Sequence, residues 1–335
     1  MTTPGDGSAD QVVLALDVGG THIKAAVMAT DGTVVDTADA ATGAERGPDA
    51  VVENILALAA TLTERHRPVA AGVAVPGVVD EGAGICTFAA NLGWREVPIQ
   101  RWVEEELAIP VALGHDVRAG GLAEARLGAG RGCRSFLFVP VGTGIAAAIV
   151  LDGRTLLGGH GGAGELGHLV VRSDGEPCGC GNLGCLETLA SASAVARRYH
   201  RATGERVTAE EVARRAEADD QAAMGVWHDA VDALADGLAA TVTLLDPRRV
   251  VLGGGLARAG RSLFGPLRTA LAARLTFQTL PEVVPAALGH RAGSLGAGLL
   301  ALDLWQARRG ARRPGAAPQL YAVPGQGLRP RGEER

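Results

Sequence analysis

The sequence predicts an α/β protein of about two domains that is built from a duplicated unit. Short apolar strand patterns alternate along the chain with segments of helical periodicity. Residues 11–32 and 136–153 share one arrangement: a strand, a turn rich in glycine and threonine, a second strand and an Asp-Gly dipeptide. The chain has 335 residues, of which 47% are apolar, so two hydrophobic cores can be buried.

The first half of the chain is predicted to contain three paired strands, two further strands and three helices. Residues 48–65 place Val51, Ile55, Leu58 and Leu62 on one face of a helix, at spacings of three and four. The same kind of pattern predicts strands over 33–39, 69–75 and 111–113 and helices over 103–107 and 119–127.

The second half is predicted to be richer in helices. Residues 186–201 have helical periodicity, and residues 208–245 are long enough for one or two helices. The remaining elements are a strand over 249–252, which runs into three consecutive glycines, and helices over 263–275 and 293–305.

Charge and composition disfavour several classes of function. The formal net charge is −5 and only 3% of residues are aromatic, which argues against nucleic acid as a partner. No apolar run reaches the roughly 18 residues of a membrane span, and residues 1–10 lack the basic segment and apolar core of a signal peptide. We therefore expect a cytoplasmic protein without a membrane partner. Residues 1–10 and the Arg-, Pro- and Gly-rich residues 308–335 are expected to be a disordered lead and a disordered tail.

Four potential metal ligands lie close together in a glycine-rich stretch. His168, Cys178, Cys180 and Cys185 follow the pattern H-x9-C-x-C-x4-C. In a reducing compartment clustered cysteines favour a metal over disulfides, and three thiolates with one imidazole form a closed tetrahedral set for structural Zn²⁺. Because four protein ligands leave no open coordination position, the ion would fix the loop and would not activate water.

Two turns combine glycine and threonine between two strands. They are Asp17-Val18-Gly19-Gly20-Thr21 and Val141-Gly142-Thr143-Gly144. Their backbone N–H groups and hydroxyls can surround phosphate oxygens, with Asp17 holding Mg²⁺ or its water shell and Lys24, the chain's single lysine, adding positive charge. An ordinary hairpin turn would explain either one alone. Two turns of the same chemistry, together with the later Gly253, Gly254 and Gly255, favour a nucleotide site.

Four motifs together resemble those of one known family. They are Asp17-x-Gly-Gly-Thr21-x-x-Lys24, Val141-Gly-Thr-Gly-Ile145, Gly164-Glu-Leu-Gly-His168 and the cysteine loop that ends in Cys185-Leu-Glu187. Their order resembles that in the ROK family of bacterial sugar kinases, in its glucokinase-like branch, and the resemblance covers residues 11–305.

The resemblance implies a fold, a domain division and an assembly. The fold would be the actin-like/hexokinase-type (ribonuclease H-like) fold, in which two α/β domains enclose a cleft. A small domain would span 11–118, a large domain with the zinc loop 119–292, and a C-terminal helix over 293–307 would return to the small domain. The family usually forms homodimers or homotetramers.

The resemblance also assigns roles to the residues that match the family's motifs. Asp116 matches the catalytic base. The sugar-binding positions are Asn91, Asp116, Glu165, His168 and Glu187. Residues 294–298 are expected near the base of the nucleotide. The other nucleotide-binding positions are Asp17, Gly19, Gly20, Thr21, Lys24, Gly142, Thr143, Gly144, Gly253, Gly254 and Gly255. His168 would bind Zn²⁺ with one ring nitrogen and a sugar hydroxyl with the other.

One position departs from the family's pattern. The family usually has Asn-Asp where this chain has His115-Asp116. His115 could support Asp116, or it could alter which sugar hydroxyls are recognised. Without the resemblance, helix capping would be the simpler role for both Asp116 and Glu187.

The implied activity is transfer of the γ-phosphoryl group of Mg²⁺-ATP to the 6-hydroxyl of glucose or a closely related sugar. N-acetylglucosamine is the alternative acceptor. A sugar-responsive transcription regulator of the same family would carry a helix-turn-helix domain before the first phosphate motif. Ten residues precede the first predicted strand, so we expect a kinase.

Overall fold

The computed structural model describes residues 11–311, which contain thirteen strands and nine helices. The strands are β1 (Val12–Val18), β2 (His22–Ala29), β3 (Val34–Ala41), β4 (Ala71–Val75), β5 (Val78–Asp80), β6 (Ile85–Ala89), β7 (Trp94–Val97), β8 (Val111–His115), β9 (Ser135–Pro140), β10 (Ala148–Leu151), β11 (Arg154–Thr155), β12 (Arg249–Gly253) and β13 (Glu282–Pro285). The helices are α1 (Pro48–His66), α2 (Ile99–Leu107), α3 (Asp116–Leu127), α4 (Leu186–Ala190), α5 (Ala192–Thr203), α6 (Ala209–Glu217), α7 (Gln221–Leu245), α8 (Arg261–Arg274) and α9 (Ala292–Ala311).

The first sheet has the strand order β3-β2-β1-β4-β8. The pairs β1–β2 and β2–β3 are antiparallel, whereas β4 and β8 run parallel to β1 and reach their places through helical crossovers. Helix α1 covers one face and buries Val51, Ile55 and Leu62, as its periodicity predicts, while Leu58 is half-buried.

The second sheet repeats this topology. Its order is β11-β10-β9-β12-β13, with antiparallel pairing from β9 to β11 and parallel pairing of β9, β12 and β13. The two hairpins of similar sequence therefore occupy equivalent places, β1–β2 in one sheet and β9–β10 in the other. The predicted duplication is a property of the fold.

Three features were missed or misjudged from sequence. Strands β5, β6 and β7 form a third, antiparallel sheet, and strands β11 and β13 extend the second one. The single helix expected over 186–201 is two helices. It breaks at Ser191, whose backbone is extended and whose hydroxyl accepts the N–H of Ala194 as the N-cap of α5.

Two helices, α3 and α9, pack against each other in the middle of the molecule. Helix α3 lies on the second sheet and α9 lies on the first, so the pair joins the two sheets. Their close approach requires glycine: a Cβ on Gly296 would lie 2.0 Å from the carbonyl oxygen of Ala119. Residues 294–298 accordingly take part in helix packing, and Ala297 is fully buried.

The prediction of a disordered tail is wrong at its first residues. Helix α9 continues through residues 308–311, which the sequence predicts to be disordered. The predicted lead over residues 1–10 and the rest of that tail, 312–335, lie outside the described residues. Within 11–311, every helix is too short or too polar to span a lipid bilayer.

Candidate active site

The first Gly-Thr turn connects β1 to β2, and its tip is exposed. Gly19 donates its N–H to the carbonyl of His22 at 2.8 Å, and its own carbonyl accepts the hydroxyl of Thr42 at 2.6 Å. Gly20 and Thr21 are open to solvent. The turn is therefore fixed at its base while its tip keeps N–H and hydroxyl groups free to meet a ligand.

Asp17 and Lys24 face each other across this hairpin, since they are paired in the β1–β2 register. Burial raises the pKa of Asp17 to about 7, the negative charge of Asp116 adds to the rise, and Lys24 opposes it. Lys24 also points its ammonium group to the carbonyl of His290, at 3.5 Å, in the segment before α9. Asp116 is thus close enough to affect Asp17, although 99 residues separate the two in sequence.

The second Gly-Thr turn is held by several other elements. Gly142 donates to the carbonyl of Gly144 at 2.9 Å, and its own carbonyl accepts the N–H of Ala192 at the start of α5. Ile145 donates its N–H to Glu187 Oε2 at 2.8 Å. Glu187, predicted to bind sugar, is therefore also a support of the predicted phosphate turn.

The glycine loop after β12 lies directly against the second turn. Val141 donates to the carbonyl of Gly253 at 3.0 Å, and Leu256 donates to the carbonyl of Val141 at the same distance. Gly254 has φ +78, and a Cβ there would lie 2.3 Å from the Val141 carbonyl oxygen. The second and third predicted nucleotide-binding segments thus form one continuous backbone surface, and Gly255 follows in the same loop.

Thr143 opens onto a cavity of about 330 Å³, within the size range of small-molecule sites. Helices α4 and α5 and the cysteine loop form its walls. The polar side chains among its lining residues are Glu176, Glu187, Thr188, Ser191, Ser193, Arg197 and Arg201. Sequence patterns gave no sign of the two arginines, because they contribute to this wall only through the fold.

Asp116 is the first residue of α3, directly after the last strand of the first sheet. Its Oδ1 accepts the N–H of Val117 at 2.6 Å, and 30% of its side chain is exposed. The carboxylate therefore has one oxygen at the helix N-terminus and remains accessible to solvent. The capping role considered from sequence belongs to His115 and not to Asp116, which is the first helical residue.

His115 is buried at the end of β8 and caps α3. Its Nδ1 accepts the N–H of Arg118 at 3.4 Å and lies 3.4 Å from Asp116 Oδ1. Burial lowers the pKa of His115 and Arg118 adds to the decrease, while Asp116, Glu165 and Glu81 oppose it. A neutral ring with Nδ1 as acceptor carries its proton on Nε2.

The other predicted sugar-binding residues come from three separate segments. Asn91 is exposed in a short turn before β7, where a Cβ on Gly20 would lie 3.5 Å from its Cβ. Glu165 Oε2 lies 3.9 Å from His168 Nε2. The charge of Glu165 acts on the pKa of His115. The segment that contains Glu165 therefore lies close to the start of α3.

His168, Cys178, Cys180 and Cys185 can hold a metal ion. His168 Nδ1 and Cys178 Sγ are 3.6 Å apart, Cys180 Sγ and Cys185 Sγ are 3.6 Å apart, and all four donor atoms lie within 4.8 Å of one another. Zn–S bonds of about 2.3 Å in a tetrahedron give ligand separations of about 3.8 Å, so the set fits such an ion. Since Nδ1 faces the thiols, Nε2 is left on the side of Glu165.

An ion pair between buried Arg118 and half-buried Glu81 lies beside Asp116 and was not predicted from the sequence. Arg118 donates from Nε to Glu81 Oε1 at 2.8 Å and from Nη1 to the carbonyl of Gly161 at 2.8 Å. The signal in the sequence was a charged residue two positions after Asp116, directly before the helix predicted over 119–127. Glu81 lies in a turn of the small third sheet, which itself was not predicted.

Known proteins match nearly the whole described chain. Residues 13–304 match the model of the ROK family. A glucokinase of Halalkalibacterium halodurans is 34% identical over 317 residues, which cover 87% of this chain and 95% of that relative.

Two solved structures are similar in sequence as well as in fold. The ROK hexokinase from Thermus thermophilus is 36% identical with a TM-score of 0.78, over 90% of this chain and 100% of that chain. A ROK family glucokinase from Streptomyces griseus in complex with glucose and AMPPNP is 30% identical with a TM-score of 0.77, over 87% and 99% of the two chains. The predicted actin-like/hexokinase-type fold and the predicted enzyme class, a sugar kinase, are confirmed, and the chain belongs to the ROK family.

Proposed function

We propose that this protein is an ATP-dependent hexose kinase that phosphorylates the 6-hydroxyl of glucose or a closely related sugar, with Asp116 as general base. The observation that carries the proposal is the closeness of Asp116 to Asp17. A carboxylate that can accept a proton lies beside the predicted phosphate turn of the first sheet. Burial is the main cause of the raised pKa of Asp17, and the negative charge of Asp116 adds to it, which indicates that the two carboxyl groups are close. The relative from Streptomyces griseus, solved with glucose and AMPPNP, supports glucose as the first acceptor to test.

In the proposed reaction the sugar 6-hydroxyl gives its proton to Asp116 as its oxygen bonds to the γ-phosphorus. The bond from that phosphorus to the bridging oxygen breaks, and ADP leaves. A positioned base of this kind contributes typically 10²–10⁴-fold to the rate. The carboxylate of Asp116 is suited to this role because one of its oxygens is fixed by Val117 N–H while the side chain stays accessible.

The two Gly-Thr turns would hold the triphosphate through backbone N–H groups and the hydroxyls of Thr21 and Thr143. Mg²⁺ supplied with ATP would neutralise phosphate charge, and Asp17 would bind it or its water shell. Lys24 would add positive charge at the same hairpin. Gly253, Gly254 and Gly255 would lie along the adenosine, next to the second turn.

The sugar would be held mainly by carboxylates, which are strong acceptors for hydroxyl groups. Glu165, Glu187 and Asn91 would contact it together with Nε2 of His168. Nδ1 of His168, which faces the cysteine thiols, would bind a structural Zn²⁺. The metal would therefore fix the imidazole ring that contacts the sugar. Closure of the two domains would exclude water, which otherwise competes as acceptor.

The proposal is tested by ADP release from the purified protein with Mg²⁺-ATP across a panel of sugars. The panel contains glucose, mannose, N-acetylglucosamine, N-acetylmannosamine and 6-deoxyglucose. We expect the highest kcat/KM with glucose and no sugar-dependent release with 6-deoxyglucose, because that sugar lacks the acceptor oxygen.

A higher kcat/KM with N-acetylglucosamine would assign the enzyme to the alternative acceptor. No sugar-dependent ADP release with any member would reject the kinase proposal. Replacing ATP by polyphosphate tests the donor, and light scattering on the same preparation tests the predicted dimer or tetramer.

A further inference from the structure

Arg118 connects three parts of the molecule from a buried position. It lies in the first turn of α3, two residues after Asp116, and its relative exposure is 3%. Its Nε donates to Glu81 Oε1 and its Nη1 donates to the carbonyl of Gly161, both at 2.8 Å. The N–H of His115 points to the same Glu81 oxygen at 3.4 Å.

The two partners of Arg118 belong to opposite sides of the cleft. Glu81 lies in the turn between β5 and β6, and this small sheet shares its hydrophobic core with the first large sheet. Gly161 lies in the loop over residues 156–164, which follows β11 of the second sheet and leads directly to Glu165. One guanidinium therefore joins the two domains beside the predicted base.

The loop around Gly161 also touches the small sheet without help from Arg118. A Cβ on Gly161 would lie 2.7 Å from the carbonyl oxygen of Val79 on β5. The geometry therefore leaves little room at this contact. Arg118 fixes the contact by hydrogen bonds from a rigid, planar group, which gives it a defined orientation.

Stability alone does not account for this arginine. Its Nη2 is buried and has no hydrogen-bond partner among residues 11–311. Buried polar groups without a partner cost free energy, and replacing a buried ion pair by apolar residues of similar volume is often neutral or stabilising. A buried guanidinium with an unpartnered nitrogen lowers the stability of the fold, so its presence points to a role in the site.

We propose that Arg118 is a positioning residue of the sugar site. It fixes the loop that carries Glu165 relative to Asp116, and so it sets both the affinity for sugar and the orientation of the acceptor hydroxyl. The residue acts through Glu81 and the backbone of Gly161. This inference rests on the proposed sugar kinase function for its kinetic part only.

The kinetic test compares Arg118→Met, Glu81→Gln and the double variant with the wild type. We expect the KM for sugar to rise and kcat to fall by about tenfold each in Arg118→Met, whereas the KM for ATP stays within about twofold. The double variant should resemble Arg118→Met, because both substitutions break the same connection. Arg118→Lys should recover only part of the lost kcat and sugar affinity, since an ammonium group cannot bond Glu81 and the Gly161 carbonyl as a planar guanidinium does.

Arg126→Met is the matched control. Arg126 is in the last turn of the same helix and makes a bidentate ion pair with Asp303 on α9, at 2.7 and 2.6 Å. Its variant should leave both KM values unchanged. The double variant Glu81→Gln/Arg118→Met removes the uncompensated carboxylate, so it remains informative if Arg118→Met alone folds poorly.

Two kinetic results would overturn the proposal. One is a lowered Tm in Arg118→Met with an unchanged sugar KM and kcat. The other is an equal rise of the KM values for sugar and ATP, which would indicate a general disturbance of the domains.

Hydrogen exchange of the ligand-free protein separates this inference from the proposed function. Amides of residues 156–164 should exchange faster in Arg118→Met than in the wild type and should be unchanged in Arg126→Met. If the wild type phosphorylates no sugar, the proposed function fails while this measurement still decides whether Arg118 holds the loop. Unchanged exchange in Arg118→Met would show that it does not.

Discussion

The two Gly-Thr turns occupy equivalent places in the two sheets but are supported by different chemistry. The first turn is fixed within its own sheet and carries a pair of opposite charges, Asp17 and Lys24, on its two strands. In the second turn Pro140 stands where Asp17 stands in the first, and the support comes from Glu187. The two halves therefore share a backbone arrangement and differ in the charged groups that surround each turn.

If the proposed function holds, this difference predicts separate tasks for the two turns. A carboxylate beside a lysine, open at the tip, suits a metal-bound phosphate. A turn held by Glu187, which is also a predicted sugar ligand, couples the phosphate side of the site to the sugar side. The following variants test that division.

Asp116→Asn should have the largest effect, because Asp116 belongs to neither turn and neither can replace it. We expect kcat to fall by roughly 10²–10⁴-fold with little change in the Kd for sugar, since the amide keeps the shape of the side chain but cannot take the proton. Steady-state kinetics and calorimetric sugar binding measure the two quantities. A kcat within tenfold of the wild type would reject Asp116 as the base.

Glu187→Ala should raise the KM values for sugar and ATP together. Its carboxylate accepts the N–H of Ile145 at 2.8 Å, so its loss releases the second turn as well as a sugar contact. Each effect should be about 10–100-fold, the range for hydrogen bonds to a charged group. Two comparison variants sharpen the test: Glu165→Ala should raise only the sugar KM, and Thr21→Ala only that for ATP. A change in the sugar KM alone would separate Glu187 from the second turn.

Removal of the metal should affect the sugar side more than the nucleotide side. We expect about one Zn per chain by elemental analysis, and a Tm several degrees lower after chelation or in Cys180→Ser, because a structural ion stabilises the loop that closes on it. The KM for sugar should rise a few-fold through His168, with the KM for ATP nearly unchanged. Cys133→Ser, outside the cluster, serves as the control. Metal-free protein with unchanged Tm would remove the structural role.

The parts of the fold that sequence predicts well are those fixed by local patterns. The β1–β2 and β9–β10 hairpins follow from apolar strands separated by short glycine turns, and helix α1 follows from its apolar spacing. Strands β5 to β7 were missed because they are only three to five residues long and carry few apolar pairs. The break at Ser191 was missed because its hydroxyl caps a new helix within a continuous helical pattern.

The candidate site divides in the same way. The metal ligands were predicted because three of them lie within eight residues, and the glycine turns because each is continuous in sequence. The bonds from Arg118 to Glu81 and Gly161 span 37 and 43 residues and follow no short pattern. Likewise the support of Ile145 by Glu187 depends on how α4 lies against the turn that follows β9, which no local propensity encodes.

Asp17→Asn should have the smallest effect, and the effect should be on stability. The second turn has no corresponding carboxylate, because Pro140 stands at that position. The pKa of Asp17 is raised from 3.8 to about 7 in the folded chain, first by burial and then by Asp116. A raised pKa means that the folded protein binds more protons than the unfolded chain between these values, so the stability linked to Asp17 is complete below pH 3.8 and is lost as the pH rises to about 7. Asparagine does not ionise and avoids this loss. The Tm of Asp17→Asn minus that of the wild type, measured without nucleotide or Mg²⁺, should therefore increase by a few degrees from pH 4.5 to pH 7 and then level off. A constant Tm difference across this range would mean that Asp17 is ionised at low pH in the folded protein, and that the first turn carries its negative charge before any ligand binds.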